Sequence, residues 1–309
     1  MSQAMKRPES LIEAIVYFSD LDVATDFVAK LRWPQGPVCP QCGCMEYSYL
    51  KTRRLWKCKA CKRQYSVKVG TIFEDSALPL TKWLRAIWLV ANSKNGISSH
   101  ELGRALKVTQ KSAWFMLHRI RLAMKTGSLL KLEGEIEVDE TYIGGKARNM
   151  HESERKRKGV SQGGSGKIVV VGMRQRNGDV VAAVVPNASA NALQGEIHHA
   201  VRRGSTIYTD AAKGYKGLDR DFAHEVIDHA EAYVHGRVHT NGIESFWALL
   251  KRGLHGTYIS VEPFHLFRYL DERVFTYNLR EHTDAGRFDA VLGAIGGRRL
   301  TYASLTAAD

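Results

Sequence analysis

No run of about twenty apolar residues occurs in the 309-residue chain, so no membrane-spanning helix is expected. Residues Met1 to Pro8 are polar and basic, with no apolar stretch behind them. That is not the anatomy of a signal peptide, and a cytoplasmic location is expected. No internal repeat is visible. Cysteine is missing from almost the whole chain: all five lie between Cys39 and Cys61. Clustered cysteines in a cytoplasmic chain point to metal before disulfide. Acidic residues are nearly absent from residues 51–131, where three Asp and Glu stand against eighteen Lys and Arg. That stretch carries +15 while the whole chain carries +13, so the remainder is close to neutral. A basic front half beside a neutral back half suggests a polyanionic partner, against the plainer alternative of a soluble basic surface. Hydrophobic content is an ordinary 44%, as for a globular protein, and the length allows one large core plus small modules.

Along the chain, Ser10 to Phe18 and Ala24 to Leu31 read as short amphipathic helices, the second ended by Trp33-Pro34. A helical region follows from Thr81 to Met124, with Trp83, Ile87, Trp88 and Val90 near helical spacing. From Gly134 the pattern becomes strand-like. Glu135 to Asp139 alternates. Ile168 to Val171 is a β-branched run suited to a strand buried on both faces. Val180 to Val185 is reached through the turn Asn177-Gly178. Asn191 to Val201 reads as a helix, Ser205 to Thr209 as a strand, and Glu244 to Leu254 and Pro263 to Thr276 as helices. Between Lys146 and Lys167 lies a Gly/Ser/Lys/Arg-rich loop, long for a compact domain, that either touches DNA or is a solvated excursion.

Cys39-Pro-Gln-Cys42 and Cys58-Lys-Ala-Cys61 are two C-x-x-C pairs separated by fifteen residues. Each tight turn sets two thiolates on one side, and the span between them suffices for two short returning strands. Four soft ligands suit tetrahedral Zn²⁺ and leave no open position, so the zinc is structural. Gly43 suits the knuckle, Trp56 and Tyr65 would pack beside it, and Cys44 is left as a non-ligand. A module this small needs its metal to fold.

Ser98 can cap one helix, with Leu102 and Leu106 facing inward, and Thr109 a second, Gln110 to Met124. This is a helix-turn-helix pattern, with an ordinary helical hairpin as the alternative. The second helix would turn Gln110, Lys111, Ser112 and Arg119 toward DNA.

Three carboxylates stand apart. Asp139 is read at the end of a strand, Asp210 directly follows Ile207-Tyr208-Thr209, and Glu244 opens a helix. Such a set can hold the two Mg²⁺ ions of a phosphoryl-transfer site. Lys251, seven residues after Glu244, shares its helix face and can meet a phosphate. Taken singly, each carboxylate reads better as a cap, turn or surface charge; taken together, with the strand-end placement, the functional reading stands level with that one.

The sequence resembles the insertion-sequence transposases of the DDE class, in the branch with an N-terminal zinc ribbon. The match rests on the two cysteine pairs, on Val138-Asp139-Glu140-Thr141-Tyr142-Ile143-Gly144-Gly145, and on Tyr208-Thr209-Asp210. It continues through His239-Thr240-Asn241-Gly242-Ile243-Glu244-Ser245-Phe246-Trp247 and Leu250-Lys251-Arg252-Gly253. The resemblance implies a multidomain α/β protein: zinc ribbon and helix-turn-helix, then an RNase H-like core with a mixed five-strand sheet and flanking helices. It implies catalysis by Asp139, Asp210 and Glu244 with Mg²⁺ (or Mn²⁺), with Asn241 as a second candidate for the third ligand. The expected boundaries are a helical segment over 1–34, the ribbon over 35–70, the helix-turn-helix over 78–127, the catalytic domain over 132–285 and a tail over 286–309. Expected partners are double-stranded DNA, as element ends and target, and further copies of the chain, as a homodimer or larger assembly. Two rival readings are a non-catalytic DNA-binding regulator derived from a transposase and a hydrolytic RNase H-like nuclease.

Overall fold

A computed structural model of the chain describes residues 7–125, 131–144, 153, 166–227 and 239–307. The basic loop read between Lys146 and Lys167 lies almost wholly outside the described residues. The chain forms two compact units, residues 1–125 with 279–309, and residues 126–278.

In the first unit, α1 (Leu11–Tyr17) and α2 (Leu21–Arg32) are capped by Ser10 and Asp20. A three-stranded antiparallel sheet follows, β1 (Tyr47–Leu50), β2 (Leu55–Cys58) and β3 (Gln64–Tyr65). Then come α3 (Leu80–Asn92), α4 (Ser99–Leu106) and α5 (Gln110–Met124). The apolar spacing read from the sequence places Trp83, Ile87, Trp88 and Val90 of α3 in the core, each at most 1% exposed. Helix breaks have local causes: Gly96 has φ +85°, and Lys107 ends α4 in the left-handed region at φ +51°. Gly103 lets the α4–α5 turn close, because an added Cβ would sit 3.1 Å from the Val108 carbonyl oxygen.

The second unit holds a five-stranded mixed sheet of β4 (Glu135–Ile143), β5 (Ile168–Gln175), β6 (Val180–Val185), β7 (Thr206–Asp210) and β8 (Ala223–Ile227), in the order β6-β5-β4-β7-β8. β6, β5 and β4 pair antiparallel; β4, β7 and β8 pair parallel. Strand alternation sorts side chains to two faces. Ile136, Val138, Val171, Met173 and Ile207 pack with α6 (Ala190–Ala200). Ile143, Val170 and Val180 pack with α7 (Asn241–Gly253) and α8 (Leu266–Asn278). The β-branched run in β5 is buried on both faces, as its composition predicts. β8 has no counterpart in the sequence reading.

The chain then re-enters the first unit through α9 (Asp284–Gly293) and α10 (Tyr302–Thr306). Of residues 286–309, read from the sequence as a tail, the described ones supply core instead. Phe288 is 2% exposed and meets Trp88 and Phe18 at ring separations of 5.0 and 5.6 Å, and Ile295 accepts a backbone hydrogen bond from Ile72.

Candidate active site and metal centre

The four cysteines converge. Their Sγ atoms all lie within 4.8 Å of one another, with Cys39–Cys61 at 3.7 Å and Cys42–Cys58 at 3.6 Å. Tetrahedral thiolates about 2.3 Å from one zinc would be about 3.8 Å apart, so the quartet fits the ion. β1 and β2 span the interval between the pairs, and Gly43 turns the first knuckle at φ +73°. The Cys61 backbone amide, aimed at Cys58 Sγ, pulls its pKa to about 6 against the effect of burial. Trp56 and Tyr65 stack beside the knuckles, with Trp33 edge-on to both. Cys44 stands outside the quartet, its sulfur meeting the Glu46 amide at 3.3 Å.

Asp139 and Asp210 are brought level by strand register. Glu137 of β4 pairs with Tyr208 of the parallel β7, and each aspartate lies two residues further on. Two residues preserve the face, so both carboxylates point to the α7 side, on strands about 4.8 Å apart. The expectation that Asp139 ends its strand is corrected: β4 continues four residues to Ile143, and it is β7 that ends, at Asp210. Burial, and then the neighbouring charges of Glu140 and Asp210, push the Asp139 pKa to about 7, against an opposing hydrogen bond from Trp247. Glu140 is raised by burial too, and its carboxylate accepts a hydrogen bond from the Tyr215 hydroxyl.

Glu244 lies exposed in the first turn of α7 and accepts a hydrogen bond from Thr240 Oγ1 at 3.1 Å. Asn241 opens the same helix, exposed, and Lys251 is half-buried two turns on. Among the described residues, the four cysteines are the only group of three or more candidate metal ligands that converges; the three carboxylates are not drawn together to that degree.

The residue that links α7 to the sheet, Trp247, carries no role that its local sequence announces. Trp247 Nε1 donates to Asp139 Oδ2 at 2.9 Å. The residue opposite Asp139 on β5 is Gly172, and a Cβ there would lie 2.5 Å from the Trp247 ring. The missing side chain makes room for the indole. Gly172→Ala should therefore cost about 1–3 kcal/mol through overpacking, measured by urea denaturation. The signal in the sequence was the unexplained glycine inside a β-branched strand.

The α4–α5 pair is capped as read, Ser98 Oγ accepting from the Glu101 amide and Thr109 Oγ1 from the Ser112 amide, both at 3.2 Å. Gln110 and Lys111 are exposed and Ser112 is half-buried at the start of α5. Arg119 is a correction. It is 4% exposed, and its guanidinium donates to the carbonyls of Leu300, Ile72 and Glu74. Within the first unit it ties the C-terminal segment to residues 72–74, and it does not face outward. Arg119→Ala should cost on the order of 3 kcal/mol in chemical denaturation, since two buried carbonyls and one half-buried carbonyl lose a charged donor. Lys51, Arg53, Lys57, Lys59, Lys62 and Arg63 of the ribbon are exposed.

A converging cysteine quartet joined to an α/β unit with a five-stranded mixed sheet agrees with the resemblance to zinc-ribbon transposases. Residues 131–278 match the ISXO2-like transposase domain, and residues 20–64 match the transposase zinc-ribbon domain. A relative described as an uncharacterized protein in transposable element ISH50, from Halobacterium salinarum, is 31% identical over 246 residues, 75% of this chain and 82% of its own length. The chain belongs to the ISXO2-like transposase family, in the form that carries an N-terminal zinc ribbon. No helix among the described residues is long and apolar enough to cross a membrane.

Proposed function

We propose that the protein binds the terminal inverted repeats of an insertion sequence and catalyses Mg²⁺-dependent cleavage and transfer of DNA strands. The observation that carries this reading is the register of Asp139 and Asp210, level and on one face, under a helix that bears Glu244 and Lys251. The strand order β6-β5-β4-β7-β8, with helices on both faces, supports an RNase H-like core.

Asp139 and Asp210 would hold Mg²⁺ or Mn²⁺, with a third ligand from α7. An Asp139 carboxyl raised by burial and by its acidic neighbours suits cation binding, because a divalent ion relieves the repulsion. Bound ions would sharpen the attacking oxygen and stabilise the leaving one. Helix geometry favours Glu244 over Asn241 as third ligand. At about 100° per residue, Glu244 lies about 60° round the helix from Trp247, which touches Asp139, whereas Asn241 lies about 120° away. Lys251 is about 40° from Trp247, on the same side, and would hold a phosphate. Water cuts one strand and exposes a 3′-OH, which then attacks a target phosphate in line. The α4–α5 pair acts as the helix-turn-helix, with Gln110, Lys111 and Ser112 at the groove and the ribbon cations on phosphates. Pairing two element ends calls for a homodimer or larger assembly, and the protein is expected to act in the cytoplasm.

The test is a strand-transfer assay with a labelled DNA end from the element that flanks the gene. Mg²⁺-dependent joined products establish the reading. Cutting without joining turns it into a nuclease, and binding without either turns it into a regulator.

A further inference from the structure

We infer that Glu137 is a positioning residue, a strand carboxylate that fixes the start of α7 on β4 and so sets where that helix carries Glu244 relative to Asp139; this rests on the transposase reading of the site. Glu137 is fully buried, two residues before Asp139 and on the same face of β4. It accepts the backbone amide of Ile243 at 2.9 Å, in the first turn of α7. That turn has no side-chain cap of its own, because Thr240 at the N-cap does not cap it. A strand residue 106 positions away therefore does what a local cap ordinarily does, and a carboxylate suits the positive end of the helix. Around it stand Arg174 at 3.3 Å, Arg176 at 3.4 Å and His239 at 3.6 Å. Both arginines are fixed in turn: Arg174 donates to the Tyr277 hydroxyl, and Arg176 donates to the His239 carbonyl and lies over the Tyr208 ring.

Close approach here depends on Gly242. A Cβ at that position would fall 1.8 Å from Arg174 Nη1 and 2.6 Å from Glu137 Oε2. The helix is thus attached to β4 twice, Ile243 to Glu137 and Trp247 to Asp139. The two spans agree: two strand residues advance about 6.7 Å and four helix residues about 6 Å. Glu244 lies between the attachments. A buried ion network is weak evidence for stability, since apolar packing often serves as well or better. Its directional bonds, however, fix one register of helix on strand. A slip of one residue moves Glu244 by about 1.5 Å, and misplacement of that size can cost about a hundredfold in rate.

The experiment uses the full chain, with Mn²⁺ binding followed by electron paramagnetic resonance alongside strand transfer. Glu137→Gln keeps an oxygen for the Ile243 amide but removes the charge that balances the arginines. Gly242→Ala keeps every charged side chain but sets a methyl against Arg174 and Glu137, so the Arg174–Glu137 contact or the start of the helix must shift. Each is expected to bind the element end as wild type does, to join strands at least tenfold more slowly at saturating DNA, and to need several-fold more Mn²⁺ for half-saturation. Lower thermal stability with wild-type Mn²⁺ affinity and wild-type joining rate would overturn the inference and leave Glu137 a purely structural residue. If Glu137→Gln does not fold, Gly242→Ala decides by the same two readouts. A wild-type protein that neither joins strands nor loses Mn²⁺ binding on Asp139→Ala removes the transposase reading itself, and this inference with it.

Discussion

Asp210→Ala is expected to abolish strand joining, by at least about a thousandfold, while element-end binding stays at the wild-type level. The size follows from the chemistry. Phosphoryl transfer depends almost wholly on positioning and charge stabilisation, so in the proposed site the loss of one of two level carboxylates would remove the means of holding the ions. The same substitution should leave stability at pH 8 unchanged or raised. Asp139, with a pKa of about 7, is pushed up by burial first and by Glu140 and Asp210 after it. A carboxyl raised on folding destabilises the fold above its folded pKa, and that penalty fades as pH falls toward the ordinary aspartate range. Removing Asp210 removes part of the repulsion. Mg²⁺ should raise the Tm of the wild type, because the proposed site exists only in the folded chain, and should not raise that of Asp210→Ala. Thermal scans with and without Mg²⁺ read this directly. A variant that keeps joining strands, or a wild type whose Tm ignores Mg²⁺, would remove Asp210 from the site.

Cys58→Ser is expected to release the zinc and unfold the ribbon. Metal analysis should find one zinc per wild-type chain and far less in the variant, and affinity for the element end should fall at least tenfold. The β1–β3 sheet is three short strands, of which only Trp56, Cys58 and Tyr65 are buried. So little apolar surface cannot offset the entropy of ordering the segment. Structural zinc supplies on the order of 10–16 kcal/mol at neutral pH, which is the folding energy of such a module. Cys44→Ser is the matched control. Its sulfur lies outside the quartet, so zinc content and DNA affinity should not change. Equal losses from both variants would mean that the quartet is not the zinc site.

Most of the strands and helices could be read along the chain, because their signals are local. The β-branched run of β5, the caps Ser98 and Thr109 and the paired C-x-x-C turns each declare themselves within a few residues. Of the edge strand β8, Ala223–Ile227, only Ile227 is buried, so it carries no apolar alternation to read. The helix Asp284–Gly293 packs a modest apolar face on an element almost two hundred residues earlier, and nothing local announces that contact. Arg119 looked like any cation on the face of a helix. Its burial is decided by three carbonyls from Ile72, Glu74 and Leu300.

The sequence by itself determined the kinds of group available: soft thiolates in pairs, basic charge over residues 51–131, and carboxylates Asp139, Asp210 and Glu244 at candidate positions. Only the tertiary structure decided which of them meet. The parallel register of β4 on β7 levels two aspartates 71 residues apart. The empty side of Gly172 admits Trp247, and the buried Glu137 receives the start of α7. The physical reason is that capping and periodicity are written into neighbouring residues, whereas register and close approach are set by contacts between strands and helices far apart in the chain.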